Sequence, residues 1–297
     1  IRRAAKRFPS FFVRLRRGMF WYYFEEVPAP APEKDDAFPC RRMTRAELSR
    51  CAIRILYYRD RIAVELFHAV TDGNGAMIFL KSLVAEYLRL QYGAEIPSEA
   101  GVLNLNDEPK PEELEDSFLK NEDGCVSAGR GADNAFYLRG TRFRTDFLSL
   151  TTGMMPVDIV TEKAKQGNVS VTVYLAACLI CAIEHIQKKT VGKRKHYKPV
   201  KLLIPVDLRK FYESETLRNF VLYITPGIDP KSGEYTFEET LKAVHHQMGG
   251  ELTRQNFNAK IRANVRSEKA FILKIMPLFI KNWAMRLVYN LVGEKKS

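Results

Sequence analysis

Between Cys51 and Gly93 the spacing of apolar residues changes period, and that change limits what the chain can fold into. Cys51 to Tyr58 and Arg61 to His68 alternate as strands do, and Arg59-Asp60 supplies the turn between them. Ile62, Val64, Leu66 and His68 are thereby expected on one face of the second strand. From Ala76 the period becomes three to four, through Phe79, Leu80, Leu83, Val84, Tyr87 and Leu88, which predicts an amphipathic helix closed by Gly93. A hairpin that feeds a long helix belongs to a mixed α/β fold. Elsewhere, residues 11–25 read as two short strands turned at Arg17-Gly18, and Val27 to Pro32 as an extended loop.

Residues 94–135 are acidic and rich in Pro and Gly, and are expected to cross the surface between two halves. The second half is expected to begin with a strand from Tyr137 to Leu150. Helices follow at Pro156–Gln166, with Pro at the first helical position, and at Thr172–Lys188. Strands are expected at Val200–Pro205 and Phe220–Thr225, and helices at Tyr235–Leu252 and Ser267–Val292. The expected division is residues 1–110, a linker at 111–136, and residues 137–297.

The chain has 297 residues and a formal charge of +12, a balance that favours anionic partners. Seven Lys/Arg fall in residues 1–20 and seven in 188–201, both without an acid, whereas residues 107–123 hold eight Asp/Glu. No helix-turn-helix, zinc-finger or RNA-recognition signature accompanies the basic clusters, so nucleic acid is not the expected partner. No run of about 18 apolar residues occurs, so no transmembrane segment is expected. Phe271–Val292 mixes large apolar residues with Lys and Arg; it is expected as a core helix of the second half, with weak peripheral membrane contact as the alternative. Five cysteines, an odd and sparse set, argue for a reducing, cytoplasmic setting. Cys178 and Cys181 have half of a zinc spacing but lie in an apolar helix without a second ligand pair, so no metal is expected. His245 and His246 point to different helix faces and receive no role.

Phe67-His68-Ala69-Val70-Thr71-Asp72-Gly73 carries the chemistry. A hydroxyl acceptor needs a base to remove its proton as it attacks, and histidine is the usual one. A rigid strand end would present His68 at a fixed point, and Gly73 and Gly75 would allow a tight turn and a close helix start. Asp72 is expected to support this loop through an ion pair, with Arg209 the first candidate partner and Arg14 the second. The pattern is short. Taken alone, a strand-end histidine followed by an ordinary turn explains it better.

Four ordered segments alter that balance: Lys6-Arg7-Phe8-Pro9; Phe67 to Gly73 with its helix; Gly167-Asn168-Val169-Ser170 opening the helix that contains Cys178; and Ile204-Pro205-Val206-Asp207-Leu208-Arg209 followed by Leu217-Arg218-Asn219-Phe220-Val221. Together they resemble the chloramphenicol-acetyltransferase-like superfamily of CoA-dependent acyltransferases. That group includes condensation domains, plant alcohol acyltransferases and bacterial alcohol acetyltransferases. The resemblance implies two similar halves, mixed sheets flanked by helices, with a central tunnel and His68 midway. It implies acyl-CoA as co-substrate, a small alcohol as acceptor and no permanently bound cofactor, and it favours Arg209 as the partner of Asp72. The acyl group, acetyl by preference, would pass to the alcohol with His68 as general base. A donor held on a carrier protein and a non-catalytic binding role are the alternatives. The basic loop with Lys193, Arg194 and Lys195 is a candidate site for the CoA phosphates. Phe67 replaces the first histidine of condensation domains, and the plant Asp-Phe-Gly-Trp-Gly segment is absent. The chain is therefore expected to be a piece truncated at both ends relative to the family.

Overall fold

The computed structural model describes residues 1–35, 40–122, 135–141, 143, 147–269 and 274–294. The first helix, α1 (Arg2–Arg7), stops at Phe8 because Pro9 disfavours helical backbone in the residue before it. Strands β1 (Val13–Arg17) and β2 (Tyr22–Glu26) form an antiparallel hairpin with Leu15 opposite Phe24. A short strand β3 (Glu33–Lys34) and a helical turn α2 (Arg45–Leu48), capped by Thr44, lead to the hairpin β4 (Ile53–Tyr58) and β5 (Arg61–Leu66). The order in this sheet is β3-β4-β5, with β3 parallel to β4. Arg59 takes a positive φ of 52° to close the two-residue turn.

Helix α3 (Gly73–Tyr92) follows, and Gly93 ends it in the left-handed conformation at φ 64°. The fully buried rings of Phe8, Phe11 and Phe12 surround Phe79 on α3 at centroid distances of 5.1, 5.4 and 5.8 Å. Burying such rings is the main force fixing α3 to the amino-terminal segment.

The acidic segment is not a free surface crossover. Its short helices α4 (Pro111–Leu114) and α5 (Ser117–Lys120) are packed against the rest of the chain. Buried Glu113 accepts both Arg7 guanidinium arms at 2.5 and 2.6 Å, and Leu217 N donates to its carbonyl at 2.8 Å. Phe118 stacks edge-on to Phe220 at 5.2 Å. A carboxylate with a bidentate arginine partner tolerates burial that acidic composition alone would not suggest. Residues 123–134 of the expected linker, and Cys125 with them, lie outside the described residues.

The later part holds α6 (Val157–Gln166) and α7 (Val171–Thr190), followed by strands β6 (Val200–Lys201), β7 (Ile204–Asp207), β8 (Val221–Ile224) and β9 (Gly227–Ile228). Helices α8 (Phe237–Glu251), α9 (Arg254–Lys269) and α10 (Leu278–Glu294) complete it. Strand β6 pairs with β9 and β7 with β8, both antiparallel. Ile180, Phe220, Ile224, Val244, Phe257 and Ile261 are fully buried at the centre of this second core.

Four expectations need correcting. The described residues between Tyr137 and Leu150 form no strand, and Phe143 and Leu150 are exposed. Pro156 is the N-cap of α6 rather than its first helical residue. The strand at 200–205 is interrupted at Leu202-Leu203, although Leu202 N still bonds Pro226 O at 3.0 Å and keeps the register that joins Val200 to Ile228 and Ile204 to Ile224. The final helix is two: α9 ends at Lys269, and α10 starts after Pro277, whose missing N–H fits only a helix start. Helix α10 lies on the β1–β2 hairpin rather than in the second core. Leu278 N donates to Met19 O at 2.9 Å, and Lys281 Nζ sits 3.4 Å from the Trp21 ring centre.

One described helix, α7, is long and apolar enough to cross a membrane by length and composition. One of its faces is core, with Ala177 and Ile180 fully buried.

Candidate active site

Strand β5 ends at Leu66, so His68 stands two residues beyond it, in a turn, and not on the strand as its alternation implied. Phe67 N still bonds Ala52 O at 2.8 Å, and Val70 N closes the turn on Phe67 O at 2.8 Å. The turn is then gripped by a distant segment, residues 207–220. Asn219 Nδ2 donates to His68 O at 2.6 Å, and Thr71 Oγ1 donates to Leu217 O at 2.6 Å.

Asp72 is 2% exposed and its carboxylate is fully occupied. Oδ1 accepts Asn74 N and Gly75 N, both at 3.1 Å, which caps α3. Oδ2 accepts Phe220 N and Arg209 Nη1, both at 2.9 Å. Arg209 in turn donates Nη1 to Asp207 Oδ1 at 2.9 Å, Nε to Thr216 O at 2.8 Å and Nη2 to Arg218 O at 2.7 Å. Arg14, the second candidate partner, is instead bonded to Glu25 at 2.8 Å.

The two glycines differ. Gly73 opens α3 without a positive φ, and a Cβ there would meet nothing within 4 Å, so the turn does not require it. A Cβ on Gly75 would overlap the Thr71 hydroxyl and the Leu217 carbonyl. Gly75 is the residue that lets the two segments close together.

His68 itself is exposed, and neither ring nitrogen has a hydrogen-bond partner among the described residues. It lines a cavity of about 1210 Å³ between the two hairpins and α2. Leu15, Leu48, Val64 and Leu66 give that cavity an apolar side, and Arg17, Arg41, Arg42, Arg45 and Arg54 give it a basic one. Such a space admits a sizeable ligand and leaves a base at its wall. Sequence reasoning missed the arginines because Arg41 to Arg45 lie in a connection without periodicity. Asn219 was part of a recognised segment, but its bond to His68 O had no signal of its own.

Lys193, Arg194 and Lys195 are exposed on a 3-10 turn after α7, where Arg194 Nε bonds Pro230 O at 3.1 Å; none of them lines the His68 cavity. Cys178 and Cys181 are half-buried in α7, and burial pushes the Cys181 thiol up from its ordinary pKa. Among the described residues no three potential metal ligands come together.

No protein-family model and no curated protein sequence matches the chain. Solved structures do. Polyketide synthase associated protein 5 from Mycobacterium tuberculosis superposes with a TM-score of 0.57 at 15% identity, over 87% of this chain and 66% of its own. TRI101 from F. sporotrichioides, complexed with coenzyme A and T-2, superposes at 0.52 with 11% identity, over 92% of this chain and 69% of its own. The first condensation domain of the calcium-dependent antibiotic synthetase reaches 0.49 at 13% identity, over 86% and 65%. This chain thus spans about two thirds of the length of the solved proteins it matches. Its fold, mixed α/β with small sheets flanked by helices, is shared with polyketide synthase associated protein 5 and TRI101.

Proposed function

We propose that this protein transfers an acyl group, acetyl by preference, from acyl-CoA to an alcohol, with His68 as general base. One observation carries the reading: the His68 backbone is held by Asn219 while its imidazole is left free at the wall of a ligand-sized cavity. The shared fold supports acyl transfer as the chemical class. Residues 1–110 and 137–297 act as the two halves that bring the site together, joined by the Asp72–Arg209 pair.

The acceptor hydroxyl gives its proton to His68 as its oxygen bonds to the thioester carbonyl carbon. The tetrahedral intermediate collapses, the carbon–sulfur bond breaks, and the proton passes from His68 to the departing thiolate. Asp72 and Arg209 take no proton in this scheme; they hold the turn. Lys193 to Lys195 are not assigned the phosphates, for the geometric reason given above.

The test is thiol release from acetyl-CoA across a panel of alcohols. His68→Ala should lower turnover by about 10²- to 10⁴-fold, the usual worth of a positioned base. Turnover at the wild-type rate would end the catalytic reading. Transfer only from a loaded carrier protein would end the free-CoA half of it.

A further inference from the structure

We propose that the cavity beside His68 holds a phosphate-bearing head group, and that Arg17, Arg42 and Arg45 are the residues that grip it. This rests on the acyl-transfer reading only for which substrate brings the phosphate.

The wall is unbalanced in charge. Among its described residues stand five arginines and a single carboxylate, Glu65. Two of the arginines are already committed. Arg54 bonds Glu65 Oε2 at 2.5 Å, Glu47 Oε1 at 3.3 Å and Arg41 O at 2.5 Å, and Arg41 bonds Glu47 Oε1 at 2.7 Å. Arg17, at the end of β1, Arg42, in the connection, and Arg45, opening α2, have no acidic partner among the described residues. Three exposed guanidinium groups without an acidic partner among the described residues give this cavity a positive potential that attracts an anion.

The ligand chemistry follows from the donors. A guanidinium is a planar fork that matches phosphate oxygens in pairs, and three forks, one from β1 and two from the stretch that opens α2, suit a group with several charged oxygens better than a lone carboxylate. Leu15, Val64 and Leu66 line the same cavity as these arginines and His68. A weakly polar arm that ends in phosphates suits this mixed lining and shares its space with the histidine. An acyl donor with a phosphorylated carrier arm meets that description, as does a phosphorylated acceptor alcohol.

Calorimetric titration of the full chain separates these. The probes are CoA, pantetheine (which lacks the phosphates) and inorganic pyrophosphate. For a CoA source, the wild type binds CoA well and pantetheine weakly. The R17Q/R42Q/R45Q variant then loses at least tenfold in CoA affinity and nothing in pantetheine affinity. For an acceptor source, pyrophosphate binds through the same arginines whereas CoA does not, which keeps this proposal and overturns the CoA donor. His68→Ala binds all probes as the wild type does, so the catalytic reading can fail by itself. Equal CoA and pyrophosphate affinity in the triple variant overturns the proposal, as does no binding of either probe to the wild type. A larger loss in K193A/R194A/K195A than in the triple variant overturns it too. All three arginines are exposed, and circular dichroism checks that the variants remain folded.

Discussion

Replacing Asp72 by alanine tests how the two distant segments are joined. The carboxylate accepts four N–H donors, and each loses its partner in the variant. Loss of the α3 cap costs about 1 kcal/mol. Phe220 N is buried and loses its acceptor, which costs about 1 to 3 kcal/mol. Breaking a buried ion pair costs about 3 to 5 kcal/mol, but Arg209 keeps Asp207, Thr216 O and Arg218 O, so the low end applies. The losses overlap, and about 4 kcal/mol is expected, a large share of the usual 5 to 15 kcal/mol of a folded domain. Arg209→Ala is milder, about 2 kcal/mol, because Asp72 retains three backbone donors. Urea unfolding of both single variants and the double variant gives the coupling directly. The double variant should be less destabilised than the sum by about 2 kcal/mol. Additivity to within about 0.5 kcal/mol would refute the claim that this pair fastens residues 207–220 to the His68 turn.

Gly75→Ala should destabilise by about 3 kcal/mol through overlap with the Leu217 carbonyl, whereas Gly73→Ala should be neutral or gain about 0.5 kcal/mol; thermal melts that rank them the other way count against the packing. The Thr44 backbone N–H, followed by its hydroxyl, holds the Glu47 carboxyl below its ordinary value, so this contribution is intact above about pH 4.3 and is lost as the pH falls through the lower folded value. Acid titration of Glu47→Gln should accordingly show a shallower loss of stability in that window, and an unchanged slope would contradict the assignment. Iodoacetamide at about pH 7.5 should modify exposed Cys40 before Cys51 and Cys181, whose thiols burial pushes up; peptide mapping that finds Cys181 first would contradict their packing.

The elements that could be read from the sequence are those whose period is enforced by one buried face. The β4–β5 hairpin, α3 and α7 are of this kind, and their bounds fall within a few residues of expectation. Composition served less well where a tertiary partner overrides it. Glu113 looked solvated because its neighbours are acidic, yet Arg7, 106 residues away, lets it be buried. The strand expected between Tyr137 and Leu150 does not form among the described residues, since a strand needs an edge to pair with. The demand that a buried carboxylate find an arginine led to Arg209 across 137 residues. By contrast, the cavity wall from Cys40 to Arg45 follows no period, and only coordinates bring it to His68.

The accounting at Asp72 also decides how the motif divides its labour. Both carboxylate oxygens are spent on backbone and guanidinium donors, so none remains to orient an imidazole or to carry a proton. Any proton chemistry in the motif therefore falls to His68, whose ring is free and exposed to the cavity. The turn that carries His68 is itself held by Asn219 and Leu217, about 150 residues later in the chain. A site of this design exists only when both segments have docked, and a weakened clamp should lower activity before it unfolds the whole protein. Variants at Asp72, Gly75 and Asn219 should then lose turnover in proportion to the population of the open clamp, while His68→Ala loses it with stability unchanged.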